Sequence, residues 1–206
     1  MSSIIKVDTI QNQSGANIIS ESANTITVGA SGDTVTIPSG GTFDMSSGTM
    51  TLNSTMKMVP AFEAYLGSDQ TISDNVPTKV QCGSEVYDTN SAYDNSTNYR
   101  FTVPTGLGGK YYFYGGIKGQ CSSADTILFM STYIYLNGAQ ARRNEWFHAS
   151  TGLTIIGVGI NQVLDLSAGD YVELYGQVDV TSGTPRFDAG GTGGATYFGG
   201  YRIIGA

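Results

Sequence analysis

From about residue 59 to the C-terminus the chain alternates apolar and polar positions with a period of two, and no stretch sustains an apolar period of 3.6. The clearest case puts Tyr171, Glu173 and Tyr175 on one face of a strand and Val172, Leu174 and Gly176 on the other. Asn137-Gly138 directly follows Tyr133-Ile134-Tyr135-Leu136, a strong hairpin signal because both residues accept positive φ. Gly169-Asp170 and the glycines from Gly106 to Gly109 mark further turns. The pattern predicts strands over 60–66, 78–82, 98–103, 110–119, 127–136, 153–164, 170–178 and 195–204, with almost no helix. Eight or so turn-bounded strands predict an all-β sandwich, of which the jelly roll is the natural member.

The N-terminal part has a different rhythm. A phrase of Thr, apolar, polar, apolar occurs as Thr25-Ile26-Thr27-Val28, Thr34-Val35-Thr36-Ile37, Thr42-Phe43-Asp44-Met45 and Thr49-Met50-Thr51-Leu52, with Ser/Gly turns between the copies. Each copy is a four-residue strand with two small inward side chains, too little to offset the entropy of ordering it alone. Such units become stable by stacking or by winding several identical chains about one axis. Residues 25–58 are therefore expected to form a thin multi-chain β-stalk, preceded by a short segment, 1–24, and followed by a head, 59–206.

Composition fits this picture. Charged residues make up 13% of the chain, about half the usual share, while Gly (28), Tyr (13), Ser and Thr are abundant. The net charge of −7, with basic residues scattered apart from Arg142-Arg143, gives no footprint for nucleic acid. The first residues lack the basic start and apolar core of a signal peptide, and the longest apolar run, Leu153 to Ile160, is too short for a bilayer. The expectation is a chain made in the cytoplasm without membrane insertion. Cys82 and Cys121 form neither a disulfide framework nor a metal pattern and read as buried free thiols.

Catalytic chemistry finds no foothold. A single histidine, His148, precludes a two-histidine metal site and weakens a Ser-His-Asp arrangement. Gly190-Gly191-Thr192-Gly193-Gly194 lacks the Lys-Ser/Thr and the strand-to-helix setting of a phosphate loop. No carboxylate pair stands out for glycoside hydrolysis. Asp88, Asp94 and Asp125 are candidates for Ca²⁺, but without a ligand motif they read as solvated loop carboxylates. The chain is expected to be non-enzymatic and to need no cofactor.

The C-terminal region resembles the C1q-like head domain, related in fold to the tumour necrosis factor group. Val59-Pro60-Ala61-Phe62-Glu63-Ala64 is similar to that family's opening strand, and Phe101 followed by Gly109-Lys110-Tyr111-Tyr112-Phe113 to its central pattern. Tyr133 to Gly138, Leu166 to Leu174 and Thr196 to Tyr201 resemble its later elements in the right order. Gly115 departs from the pattern, standing where an aromatic is typical, and no collagen tract precedes the head. The opening Ile5 to Gly15 resembles the start of tail-fibre and virion surface proteins of marine tailed bacteriophages, in which a short N-terminal segment docks to the particle.

Together these resemblances imply a homotrimeric fibre on the virion surface, its N-terminus (Ile5, Val7, Ile10) anchored to other virion proteins. Its head would bind a host-surface glycan or protein. Arg142, Arg143, Trp146 and His148 are the candidate receptor contacts, since Trp and Arg carry contact energy at interfaces; the core or the trimer interface is the competing place for Trp146. Tyr111, Tyr133 and Tyr201 are the candidate trimer-interface residues. A capsid decoration protein and a lectin-like carbohydrate-binding module are the alternatives, with a hydrolytic tailspike as a weaker one.

Overall fold

The computed structural model describes residues 9–15, 17–23, 25–29, 31–44, 46–49, 51, 57–122, 126–148, 152–191 and 194–203. The chain divides into two units, Met1–Thr51 and Leu52–Ala206. No helix occurs among the described residues.

In the first unit β1 (Thr9–Gln11), β2 (Asn17–Ser22) and β3 (Thr25–Val28) form an antiparallel three-stranded sheet. The β1–β2 turn is closed by Gly15 N–H donating to Asn12 O at 3.0 Å, with Asn12 Oδ1 accepting from Ser14 N at 3.0 Å. Ile10, Ile26 and Val28 remain exposed. The first expected stalk unit is thus a strand, but it pairs with the segment before it. Residues 34–37 and 42–44 make no ladder among the described residues, and Val35, Ile37 and Phe43 are exposed. Two apolar side chains per unit bury too little surface to hold such a strand by itself. Met45, Met50 and Leu52 of the repeats, and Ile5 and Val7 of the expected anchor, lie outside the described residues.

The strands of the second unit are β4 (Ala61–Tyr65), β5 (Gln70–Thr71), β6 (Thr78–Lys79), β7 (Ser84–Asp88), β8 (Tyr93–Asp94), β9 (Arg100–Thr102), β10 (Gly109–Gln120), β11 (Ile127–Leu136), β12 (Ala139–Phe147), β13 (Ile155–Leu166), β14 (Tyr171–Val180), β15 (Arg186–Phe187) and β16 (Tyr197–Arg202). One sheet runs β7-β4-β16-β10-β13, extended at one end of β10 by β15 and β5. The other runs β12-β11-β14-β9-β8, with β6 beside β14. All pairings are antiparallel, and the chain alternates between the sheets from β9 onward except at the β11–β12 hairpin and between β15 and β16, which both pair with β10. This is jelly-roll connectivity.

Strand alternation fills the core between the sheets. Along β10, Tyr111, Phe113, Gly115 and Ile117 are buried inside, while Tyr112 and Tyr114 point out. Phe62 is the hub of the core: its ring lies 4.7 Å from Tyr93, 5.2 Å from Phe101 and 5.1 Å from Phe198. The departure at Gly115 has a local cause. A Cβ there would stand 2.8 Å from Leu174 Cδ1, so Leu174 of the facing sheet takes the space of an aromatic.

Tyr111 therefore requires a correction. It is fully buried in its own chain and donates a hydrogen bond to Leu107 O at 2.5 Å, so it belongs to the core and not to a surface between chains. Burial pushes its hydroxyl pKa up to about 12.

The Asn137-Gly138 hairpin joins β11 to β12, with φ of 51° and 79° at the two turn residues. Asn137 also receives Tyr171 N–H at 2.9 Å on its side-chain oxygen and donates to Asp170 at 2.8 Å, tying the turn to the start of β14. The return strand β12 is absent from the sequence expectation because its residues are exposed along their whole length and carry no apolar alternation. Cys82 and Cys121 are both buried and form no disulfide among the described residues.

Candidate interaction surfaces

The outer face of the β7-β4-β16-β10-β13 sheet is tyrosine-rich. Register places Val163, Tyr112, Tyr201 and Ala61 in one row across it. The next row holds Asn161, Tyr114, Gly199, Glu63 and Tyr87, and the third Gly159, Gly116, Tyr197 and Tyr65. The rings touch one another, with Tyr112 at 5.5 Å from Tyr201 and Tyr114 at 6.3 Å from Tyr197. Gly199 lets Tyr114 lie flat: a Cβ there would come 2.5 Å from its ring. Tyr114 OH donates to Glu63 Oε2 at 2.7 Å, and burial, followed by this bond, raises its pKa. A shallow cavity of about 350 Å³ opens among Glu63, Tyr65, Val86, Gly194 and Tyr197. Val86, Tyr87 and Val163 on the same face are exposed, so the face is largely aromatic and aliphatic and uncovered among the described residues of the head.

The outer face of the second sheet is built differently. Register aligns Arg143, Tyr133, Tyr175 and Lys79 in one row, with Tyr135, Glu173 and Arg100 in the next. Tyr135 and Tyr175 stack at 4.1 Å and 20°. Arg100 lies 4.2 Å over Tyr171, Arg143 5.7 Å over Tyr133 and Lys79 5.9 Å over Tyr175. Tyr133 is buried beneath these neighbours and donates its hydroxyl to Gln177 Oε1. Glu173, although it faces outward, is 3% exposed and pairs with Lys79 at 2.5 Å. Arg143 pairs with Glu145 and donates to Ser131 Oγ at 3.3 Å.

The edge strand β12 carries three of the four candidate receptor residues, with His148 directly after it, and alternation divides them. Arg143 points to the tyrosines just described, opposite Tyr133. Arg142, Asn144 and Trp146 take the other side, and His148, just past the strand, stacks on Trp146 at 5.1 Å and 18°. Asn144 Nδ2 donates to Gly159 O at 2.7 Å, bridging the open edges of the two sheets. A cavity of about 190 Å³ lies there, lined by Arg142, Arg143, Asn144, Gly159, Ile160 and Asn161. Trp146 is 39% and Phe147 64% exposed.

The three tyrosines expected at one interface thus occupy three places: Tyr111 in the core, Tyr133 on the outer face of the second sheet, and Tyr201 on the uncovered face of the first. Tyr112, Tyr114 and Tyr197, which share that face with Tyr201, are missing from the sequence expectation. The signal for them is their parity with Tyr201 across the β10–β16 register.

Of the candidate calcium carboxylates, Asp88 accepts backbone N–H groups from Ala92 and Tyr93 at 3.1 and 2.9 Å. Asp94 accepts from Ser96, Thr97 and Asn98, and the hydrogen bonds to Thr97 and Ser96 drive its pKa well below the carboxylate range. Both carboxylates close their own loops. Asp125 lies outside the described residues. No group of three His, Cys, Asp or Glu side chains suited to a metal ion occurs among the described residues.

No protein-family model matches the chain, and no curated protein matches it. Among solved structures the chain is similar to the globular domain of zebrafish complement 1qA protein, at 17% identity over 70% of this chain and 98% of that one, with a TM-score of 0.46. It is also similar to the Eiger TNF of S. frugiperda, at 14% identity over 71% of this chain and 93% of that one, with a TM-score of 0.48.

Proposed function

We propose that this protein is a structural, non-enzymatic fibre of a virion, whose C-terminal head associates as a homotrimer and contacts a receptor on the host surface. The observation that carries the reading is the tyrosine face of the first sheet. Tyr112, Tyr114, Tyr197 and Tyr201 lie on one side of the sandwich, and no described strand of the head packs over them. Tyrosine supplies contact area at low entropy cost and is enriched where surfaces meet. Burying this face against other copies removes a patch that a soluble monomer would otherwise leave in water.

The N-terminal region supports the same reading. Its exposed Val35, Ile37 and Phe43 recur at short spacing and have no core of their own, as expected of a stalk completed by identical chains. The segment before it would dock to the particle. Three heads on one stem turn weak single contacts with a host glycan or protein into avid attachment.

The test is the mass of the full-length protein in solution by light scattering. Three times the 21.7 kDa chain is the expected result, and a monomer at micromolar concentration overturns it. Antibody labelling of intact particles then tests the fibre role. Label at the tail supports a tail fibre, label over the shell a capsid decoration protein, and particles without label remove the virion role.

A further inference from the structure

We infer that the outer face of the second sheet is a binding platform for an uncharged saccharide chain, with Tyr135, Tyr171 and Tyr175 as its contact residues. The inference rests on, and sharpens, the reading of the head as a receptor-binding head.

The argument starts from what this face leaves unused. The two carboxylates beside the rings are already neutralised, Glu173 by Lys79 and Glu145 by Arg143. A polycation therefore finds no free anion among the rings, and a polyanion finds only Arg100, itself lying on Tyr171. The unpaired groups are neutral donors on aromatic rings. The hydroxyls of Tyr135, Tyr171 and Tyr175 have no hydrogen-bond partner among the described residues, and burial raises the pKa of Tyr135 and Tyr175, keeping both protonated. The rings are partly buried against one another and against Arg100, and their hydroxyl-bearing rims match the alternating C–H faces and hydroxyl edges of a sugar ring.

The platform is also preorganised. The 4.1 Å stack fixes Tyr135 against Tyr175, Arg100 fixes Tyr171, and all three rings sit on paired strands and not on loops. Little rotamer freedom remains to be lost on binding. Tyr171 and Tyr175 are four residues apart on β14, about 14 Å at strand rise, so the surface is longer than a single sugar ring. It lies on the opposite side of the sandwich from the tyrosine face assigned to self-association, so each head of a trimer keeps its own copy.

The experiment uses full-length protein and calorimetric titration with neutral tetrasaccharides of gluco, galacto and manno configuration, with an alginate tetrasaccharide as the charged comparator. The expected result is millimolar binding of at least one neutral probe, unaffected by salt between 50 and 500 mM. Tyr135→Ala and Tyr175→Ala should each weaken it at least tenfold, with unchanged far-UV circular dichroism; Tyr135→Phe and Tyr175→Phe, which keep the stack, separate loss of the hydroxyl from loss of the ring. The inference is overturned if no neutral probe binds at 10 mM, if binding survives both alanine variants, or if only alginate binds. Loss in Arg142→Ala but not in Tyr175→Ala moves the site to the β12 edge and also overturns it. A trimer that binds no sugar leaves the fibre reading standing, whereas a monomer that binds one removes the fibre and keeps the platform.

Discussion

Replacing Tyr112 and Tyr201 together by glutamate separates the head's fold from its self-association. The two rings face each other across β10 and β16 at 5.5 Å, partly exposed and outside the core. Within one chain the double change removes two aromatic pairs, Tyr112 with Tyr201 and Tyr112 with Tyr114, about 2 kcal/mol together. In the assembly it places carboxylates in a contact that already holds Glu63, on a chain of net charge −7. Loss of a central contact costs roughly 3 kcal/mol per interface. A closed trimer has three equivalent interfaces, so the total is about 9 kcal/mol, or more than six orders of magnitude in the three-body dissociation constant. The concentration at half-dissociation scales as the square root of that constant and rises about a thousandfold. Sedimentation velocity at 1 µM should show the variant as a monomer with unchanged far-UV circular dichroism, and Tyr175→Ala, on the opposite face, as a trimer. If the double variant keeps the wild-type mass at 1 µM, the tyrosine face is not the interface and the reasoning fails.

Other perturbations test the fold and its electrostatics. Phe62→Ala removes the hub of the aromatic core and should cost about 4 kcal/mol in urea unfolding; a loss below about 1.5 kcal/mol would show that the core does not depend on it. Glu173→Ala removes the carboxylate from Lys79, which keeps Asn98 O and partial exposure, and should cost about 2 kcal/mol, while Lys79→Met with Glu173→Leu should cost less than that single change. Asp94 is held below the usual carboxylate range by backbone hydrogen bonds, so its contribution is present above the unfolded value near ~3.9 and is lost as pH falls through the folded one. The melting temperatures of wild type and Asp94→Ala should therefore differ at pH 7 and converge towards pH 2; a constant gap would refute the assignment. Burial pushes the Cys82 thiol up to about 12, so neither it nor buried Cys121 should react quickly with Ellman's reagent until the chain is unfolded.

The fold was legible wherever the two faces of a strand differ in polarity. Val172, Leu174 and Gly176 against Tyr171, Glu173 and Tyr175 define inside and outside in β14 without structural help. The same rule fails in β10, where Tyr111, Tyr112, Phe113 and Tyr114 put aromatics on both faces. Alternation then says which residues share a side but not which side is the core. Only the partner strand resolves it: Gly200 lies opposite Phe113 and Tyr201 opposite Tyr112, so glycine makes room for the buried ring and tyrosine joins the outer one. The short strands at β5, β6, β8 and β15 have two residues each, too few to show any period.

Arg142 and Arg143 illustrate the same limit at the level of the candidate sites. In sequence they are one basic pair, and nothing about their side chains distinguishes them. A strand turns adjacent side chains to opposite faces, so the pair is split as soon as β12 forms on the Asn137-Gly138 turn. Arg143 lands across from Tyr133 and is consumed by Glu145, Ser131 and the ring, which makes it part of the platform's scaffold. Arg142 lands on the side that faces β13 and has no hydrogen-bond or ion-pair partner among the described residues, beside a small polar cavity. Substituting the two separately should give unlike results. Arg143→Ala strips the support from Tyr133 and Glu145 and should lower head stability by about 1–2 kcal/mol, within the range for losing charged hydrogen bonds and a ring contact. Arg142→Ala should leave stability within about 0.5 kcal/mol, as expected for an exposed side chain without partners. Urea unfolding of both variants measures the difference, and equal losses would show that β12 does not divide the pair as its register requires.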